Sequence, residues 1–471
     1  MSTIAAIASS GTIGVVRVSG PAAIIIAKKL FRPKKRLDWS ALQRCHMAYG
    51  ILQEPVPATN KRQNSVGDQW SNADFRDLIR PRVIDECICL IFPSPRSYTG
   101  EDVVEFQCHG GPAVMRRALE AVFAAGARPA EPGEFTRRAY LNGRIDLAKA
   151  EAVMQLVAAN SEQAARAANA ALGGALSQRI ESIRNQLIAI MAHIAAWVDY
   201  PEDDIPALGD DELSTAINVA ASNLKALLEK SHLAQVMLCG VNTVLVGKPN
   251  VGKSSLMNML TGYDRSIVTE LPGTTRDTVT ETIQLGSLTL RLTDTAGLRD
   301  TQERIEAAGV QRSRAALAQA DLLLAVCDAS APLTGEDHAL LSLCDPNRTI
   351  LIRNKCDLGS NWTQHEQFAC VDMSALKSTG LDSLAAAVEL LLNASDFSPH
   401  EAILANRRQS DCAAQALAAL EETLAAQRSG YSLDAISICI EDAIQALYSL
   451  TGERATDAVV DEVFANFCVG K

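Results

Sequence analysis

A chain of 471 residues, 48% of them hydrophobic, is long enough for about three domains, each with its own core. Its net charge of -11 and sequence pI near 5.3, with no long Lys/Arg run, exclude strong nonspecific nucleic-acid binding as a property of composition and leave open a local basic patch or a basic partner. No apolar run approaches the ~20 residues of a membrane span and the N-terminus lacks a basic leader with a long apolar core, so the chain reads as cytoplasmic, with no membrane partner.

Met1 to Ser19 reads as strand, turn, strand. The stretch 53–82 is polar and punctuated by Pro55, Pro57, Asn60, Asn64, Gly67 and Asn72, a surface insertion between strand-bearing segments. Glu86–Phe92 and Asp102–Phe106 are strand-like, so residues 1–142 form an α+β domain. The 12 cysteines make no CxxC pair; Cys87 and Cys89 fall on one strand face and read as reduced, buried apolar residues. From Asp146 the pattern changes to helix. Ile180, Ile183, Leu187, Ile190, Ile194 and Trp197 form one stripe, which breaks at the acidic, proline-containing run Asp199–Asp204.

The segment Gly247–Asp357 carries the chemistry. An apolar run Val244-Leu245-Val246 leads into Gly247-Lys248-Pro249-Asn250-Val251-Gly252-Lys253-Ser254, and Ser255–Leu260 follows with helical character. A GxxxxGK[ST] loop between strand and helix turns its backbone N–H groups onto phosphates, with Lys253 as a point charge and the Ser254 hydroxyl on magnesium. Next comes the loop Thr269-Glu270-Leu271-Pro272-Gly273-Thr274-Thr275-Arg276-Asp277, one of whose threonines, with Thr275 favoured, would meet magnesium only when a γ-phosphate is present. Asp294-Thr295-Ala296-Gly297 follows an alternating strand; its Asp suits magnesium through water, and its Gly lets an N–H approach the γ-phosphate.

After the buried-strand run Thr349–Ile352 stands Asn354-Lys355-Cys356-Asp357. A carboxylate at Asp357 accepts from both guanine donors, a pair adenine lacks, so the nucleotide is GTP or GDP. Ser374-Ala375-Leu376 occupies the place of a loop that caps the guanine oxygen. Two residues depart from the common small-GTPase pattern. Leu298 cannot orient an attacking water, so another acceptor within Arg299–Glu306 must do so. Asn250 either coordinates a monovalent cation beside the phosphates or stabilises a turn. Helical periodicity resumes with Ile436, Ile440, Ala443, Leu447 and Leu450, so helices flank an inserted α/β unit.

The flanking motifs are Tyr98-Thr99-Gly100-Glu101-Asp102, Cys108-His109-Gly110-Gly111, Pro132-Gly133-Glu134-Phe135-Thr136-Arg137-Arg138, Leu141-Asn142-Gly143-Arg144-Ile145-Asp146-Leu147 and the terminal Cys468-Val469-Gly470-Lys471. With the nucleotide motifs in order between them, the chain resembles the tRNA-modification GTPases of the MnmE (TrmE) family over essentially its whole length. The resemblance implies a multidomain protein: an α+β folate-binding and dimerisation domain at 1–142, an all-α helical domain at 143–238 and 396–471, and an inserted Ras-like GTPase domain at 239–395. It further implies a homodimer that works with the flavoprotein MnmG (GidA) to add a carboxymethylaminomethyl or aminomethyl group to carbon 5 of the wobble uridine of certain tRNAs. The one-carbon donor would be 5,10-methylene-tetrahydrofolate, for which 5-formyl-tetrahydrofolate is an analogue.

Carried over by matching position, Arg17, Glu105, Arg144 and Lys471 would contact the folate. Asn250, Thr269, Thr274 and the Leu271 carbonyl would hold potassium, Ser254 and Thr275 would hold magnesium, Glu306 would orient water, and Cys468 would serve modification. The turn Ser9-Ser10-Gly11-Thr12 is shorter than the family's, and the insertion around Asn60 has no family role. A regulatory switch or assembly factor that uses GTP for timing is the competing class; such a protein would usually carry a basic or aromatic RNA-binding appendage, where this chain carries an acidic helical one.

Overall fold

Alternation of period two builds the first of two units. The computed structural model describes residues 2–39, 41–55, 82–199, 209–263, 280–294, 320–362, 365, 367–394, 397–465 and 467–470. The chain divides into Met1–Ala150 with Gly452–Lys471, and Glu151–Thr451. The first unit holds β1 (Ile4–Ser9), β2 (Ile13–Ser19), β3 (Phe31–Pro33), β4 (His46–Gln53), β5 (Val83–Phe92), β6 (Val103–His109) and β7 (Arg128–Pro129), in the order β3-β4-β5-β6-β2-β1-β7. All neighbours are antiparallel except β1 and β7.

On one face Val16, Val18, Cys89, Ile91, Val104 and Phe106 pack beneath Ile26 and Leu30 of the helix Ala23–Leu30 and Met115 and Val122 of the helix Pro112–Ala124. Cys87, Cys89 and Cys108 are buried there, and burial raises the Cys89 thiol well above its ordinary pKa, so it packs as a small apolar group. The alternate residues, including Arg17 and Glu105, face the other way. Residues 56–81, most of the polar insertion, lie outside the described residues; its base is closed by a Glu54 N–H to Arg82 carbonyl bond of 2.9 Å, which makes it the β4–β5 connection.

By its contacts the C-terminal tail, Gly452–Lys471, groups with this first unit. The Gly133 N–H donates to the Cys468 carbonyl at 3.2 Å, and Arg137 pairs with Asp461 at 2.7 Å. Gly470, at φ +97°, lies so close to the Ile7 carbonyl and Ala8 that a side chain there would collide with backbone.

The second unit combines long helices with a parallel sheet. Helices Ala175–Asp199, Asp210–Cys239, Arg407–Arg428 and Leu433–Thr451 bury the expected stripes: Ile180, Ile183, Leu187, Ile190 and Ile194 on the first, and Ile436, Ile440, Ala443, Leu447 and Leu450 on the last. Trp197 is the exception. It lies in the last turn of its helix and is 40% exposed, so the buried stripe stops at Ile194. A polar clasp ties the helix Leu147–Ala158 to the last two of these helices: Glu151, buried, receives Arg408 at 2.7 and 2.8 Å and the Gln409 amide at 2.7 Å, while Arg408 also donates to the Ser449 and Leu450 carbonyls.

Between the helices lies a six-stranded sheet of β8 (Val241–Val246), β9 (Thr280–Leu285), β10 (Leu288–Asp294), β11 (Leu322–Asp328), β12 (Thr349–Asn354) and β13 (Ala369–Asp372), ordered β13-β12-β11-β8-β10-β9. Only the β9–β10 pair is antiparallel. Side chains of alternate parity fill two cores, Leu245, Leu324, Val326 and Ile352 on one face and Val244, Val246, Ala325 and Leu351 on the other. A parallel strand covered on both sides must read as a continuous apolar run, which is how β11 and β12 read. No helix among the described residues is long and apolar enough to cross a membrane.

The Glu151 clasp generates a stability prediction. Glu151→Ala leaves the Arg408 guanidinium without its carboxylate in a largely buried setting, and is expected to cost about 3 kcal/mol, the scale for breaking one partner of a buried pair. Loss of helical circular dichroism on guanidinium titration would move to lower denaturant; an unchanged midpoint would deny the clasp its role.

Candidate guanine-nucleotide site

The chain starts this sheet at its middle: β8 lies between β11 and β10, so successive connections leave it toward opposite sides. In open α/β sheets, the crevice at the carboxyl ends of strands around such a reversal is where ligands bind. The motifs fall there. The phosphate loop follows β8, Asp294 ends β10, Asn354 ends β12, and Ser374 follows β13 by two residues.

Lys253 opens the helix Lys253–Tyr263, whose N-terminal dipole and free N–H groups favour an anion. Its ammonium donates to the Gly247 and Lys248 carbonyls at 2.8 and 2.6 Å, inside the concave side of the loop. Ser254 and Ser255 are exposed at the helix start, and Val251 is buried in the sheet core. Asn250 takes a left-handed turn at φ 63°, and its side chain is exposed. The turn conformation and an outward amide coexist, so both readings of Asn250 fit one geometry.

The base-reading strand grips this loop directly. The Asn354 amide, 2% exposed, donates from Nδ2 to the Val251 carbonyl at 2.8 Å and accepts at Oδ1 from the Ala375 N–H at 3.0 Å. Gly252, at φ +98°, sits against Asn354 Nδ2 so tightly that any Cβ would overlap it, which accounts for glycine at this place in the loop. Lys355, itself left-handed at φ 62°, donates to the Asn250 carbonyl at 2.9 Å and to Asp328 Oδ2 at 2.6 Å. The role of Asp328 in this brace carries no motif signal in the sequence.

Asp357 receives the Ser374 hydroxyl on Oδ1 at 2.6 Å. That hydrogen bond, ahead of the Asp357 backbone N–H and the charge of Lys377, holds its carboxyl below the ordinary aspartate pKa, against a smaller opposing effect of desolvation. The carboxylate is thereby kept ionised and oriented beside the loop Ser374–Thr379. Ala375 is partly buried against the sheet core and Leu376 is 88% exposed, so only the backbone of this loop and Ser374 are built into the site.

Thr269, Glu270, Leu271, Pro272, Gly273, Thr274 and Thr275, then Thr295, Ala296, Gly297, Leu298 and Glu306, lie outside the described residues, as does the side chain of Asp294. Among the expected magnesium and potassium ligands, the described residues contain Ser254 and Asn250.

A second constellation lies on the opposite face of the N-terminal sheet, where Phe135 packs with Ile4, Ala6 and Ala130. Arg17 and Glu105 are register partners on β2 and β6, joined Nε to Oε1 at 2.7 Å. The Arg17 guanidinium lies 5.9 and 5.6 Å from the Tyr98 and Phe135 ring centroids and donates to the Gly470 carbonyl at 3.3 Å. Arg144 is exposed nearby, its stem close to Gly100, while Lys471 lies outside the described residues. Cys468 is half-buried with its carbonyl bonded to Gly133. The structure therefore gathers Arg17, Glu105 and the Cys468–Gly470 tail, and adds Tyr98 and Phe135, which sequence reasoning quoted in motifs and gave no role. Beneath them Arg138, 3% exposed, is held by Glu101 and Glu134, both at 2.9 Å.

A phosphate loop braced to a guanine-reading carboxylate at the switch point of a parallel sheet defines a P-loop guanine-nucleotide-binding protein. Comparison with known proteins narrows the class. Residues 147–468 match the family model described as the MnmE helical domain, and residues 3–144 match that of the GTP-binding protein TrmE N-terminus. The proteins called tRNA modification GTPase MnmE from Heliobacterium modesticaldum and Symbiobacterium thermophilum are similar at 38% and 40% identity, each alignment covering 100% of this chain and 99% of the relative. The chain belongs to the MnmE family.

The depressed Asp357 pKa predicts a pH dependence. Guanine binding needs the carboxylate, so affinity is present above its pKa and lost as pH falls through it. Ser374→Ala removes the main cause of the depression and raises the pKa, so GDP affinity should begin to fall at a higher pH than in the unmutated protein. Coincident acid limbs for the two proteins would refute the coupling.

Proposed function

We propose that the chain hydrolyses GTP to GDP and phosphate and couples this cycle to modification of the wobble uridine of tRNA. The observation that carries the reading is the double anchoring of the phosphate loop by Asn354 and Lys355 beside the ionised Asp357, within a chain of this family. Guanine specificity and phosphate binding are then one mechanical unit. The expected test is mass spectrometry of tRNA nucleosides from cells lacking the gene: loss of the modified wobble uridine supports the reading, and its retention opposes it.

The residues assign the steps. Asp357 accepts from the guanine N–H groups, the Ser374–Leu376 loop backbone meets the guanine oxygen, and Gly252, Lys253 and Ser255 face the phosphates. Ser254 and Thr275 would hold magnesium, with Asp294 acting through water and the Thr295–Gly297 backbone near the γ-phosphate. Asn250, Thr269, Thr274 and the Leu271 carbonyl would hold potassium, and the exposed Asn250 amide fits that task. Held by these residues, the two cations would supply positive charge beside the phosphates. Glu306 orients the attacking water, a task Leu298 cannot perform.

On the N-terminal sheet, Arg17, beside the Tyr98 and Phe135 rings and paired with Glu105, suits a flat, hydrogen-bonding pterin, and Arg144 and Lys471 suit carboxylates of a folate tail. Tetrahydrofolate would supply the carbon transferred, with Cys468 beside it. The same sheet face carries Met47, Leu90, Glu105 and Arg17 in one register row, and Met47, Tyr49 and Ile13 are 67%, 50% and 64% exposed. An apolar sheet face of this kind supports a homodimer formed through the N-terminal domain, with a flavoprotein of the MnmG type as the second partner in the cytoplasm.

Three outcomes test these assignments. Replacing potassium by sodium should lower kcat by at least about tenfold, the scale of one lost electrostatic stabiliser, and Asn250→Ala should erase the difference; equal turnover in the two salts contradicts the cation site. Glu306→Ala should abolish steady-state GTP hydrolysis with GTP affinity nearly unchanged. Cys468→Ser should keep hydrolysis and lose wobble modification. Normal modification in a Glu306→Ala strain would sever the GTPase cycle from the tRNA reaction.

A further inference from the structure

We propose that Lys248 is a positioning residue for nucleotide binding, whose ammonium, seated on the N-terminal cap of the helix Gly335–Leu341, fixes the first turn of the phosphate loop. The inference rests on reading Gly247–Ser254 as the nucleotide site. Lys248 Nζ lies 2.6 Å from Asp337 Oδ2 and donates to Thr334 Oγ1 at 2.6 Å. Asp337 is 4% exposed, and the same oxygen accepts from the Thr334 N–H and hydroxyl, each at 2.8 Å. Thr334 and Asp337 thus complete a capping box by themselves, and the helix keeps its cap without the lysine.

What the lysine adds goes to the loop. The Lys248 carbonyl accepts from the phosphate-binding ammonium of Lys253 at 2.6 Å, so the side chain that docks on Asp337 also sets the peptide holding Lys253. The next residue is Pro249, which has no N–H and offers no backbone donor to tether this turn. Further along, the Asn250 carbonyl is anchored by Lys355 and the Val251 carbonyl by Asn354. Lys248 supplies the matching anchor at the start of the loop, and a loop held at three points presents its N–H groups to phosphate already ordered, which favours binding by lowering the ordering cost.

Fluorescent GDP titrations of the full chain, with the thermal midpoint of the ligand-free protein measured alongside, separate this role from two others. Lys248→Met should weaken GDP about tenfold through lost preorganisation, with little change in the midpoint. Lys248→Arg should restore most of the affinity. Asp337→Asn discriminates most sharply: it makes the region more positive, so a purely electrostatic lysine predicts tighter GDP binding, whereas a lost anchor predicts weaker binding. The double variant should bind no more weakly than Lys248→Met, since that variant already lacks the ammonium that Asp337 seats. Unchanged GDP affinity in Lys248→Met, failure of arginine to rescue, tighter binding in Asp337→Asn, or additive losses would each overturn the proposal. Should Lys248→Met fail to fold, the Asp337→Asn result decides alone. Absence of GDP binding in the unmutated protein would instead overturn the nucleotide-site reading itself.

Discussion

The buried amide of Asn354 is the constraint on which the nucleotide site depends. It ends β12, yet its two polar atoms go to two other loops: the donor to Val251 in the phosphate loop, the acceptor to Ala375 in the base loop. A buried amide left half-paired would cost about 1–3 kcal/mol, so the two loops are held at a fixed separation by the penalty for parting from it. Gly252 is the complementary feature, since its missing side chain is the space the amide occupies. Lys355 repeats the tie one residue on, through Asn250 and Asp328. The Asn354–Asp357 segment and the Gly247–Ser254 loop are therefore joined through the Asn250 and Val251 carbonyls.

That unit is wired into the helices through one short joint. The helix Asp210–Cys239 is followed by Gly240 and then immediately by β8, whose end is the phosphate loop. In the last turns of the helix, Val236 and Met237 belong to the sheet core with Leu245 and Leu256, while Ala234 and Leu238 belong to a helical core with Ala164, Ile403 and Ala405. A single helix end is thus packed into both cores at once. Close-packed interiors transmit displacement rather than absorb it, so any displacement of β8 would be passed to this helix and to the helices Arg407–Arg428, Glu162–Leu172 and Ala175–Asp199 packed against it. The Glu151–Arg408 clasp stiffens the far side of the same bundle.

Much of this was legible in the sequence for identifiable reasons. Strands β8, β11 and β12 are buried on both faces, so their apolar runs are unbroken, and loops that grip phosphates need glycine and lysine at fixed spacing. The helical stripes were legible because one face of each helix is buried; Trp197 fell outside because a stripe continues in sequence for a turn after burial has ended. Contacts formed between distant segments left no local mark. Asp328 bracing Lys355, Asp337 seating Lys248 and Gly470 lying on Ile7 each join residues far apart in the chain, and no periodicity encodes such a pairing. For the same reason no pattern marks the tail 452–471, which the resemblance assigns to the helical domain, as belonging with the N-terminal unit. Tyr98 and Phe135 were visible within motifs, but only the fold places their rings around Arg17.

The central claim is that Asp357, fixed by Ser374 and joined through its loop to the phosphate site, selects guanine. Side-by-side titration of GTP and xanthosine triphosphate against the unmutated protein and Asp357→Asn tests it most directly, because an amide N–H opposes guanine's own donors and donates to the xanthine carbonyl oxygen. A switch of preference from GTP to xanthosine triphosphate is the predicted result. Equal GTP affinity in the two proteins would contradict the account.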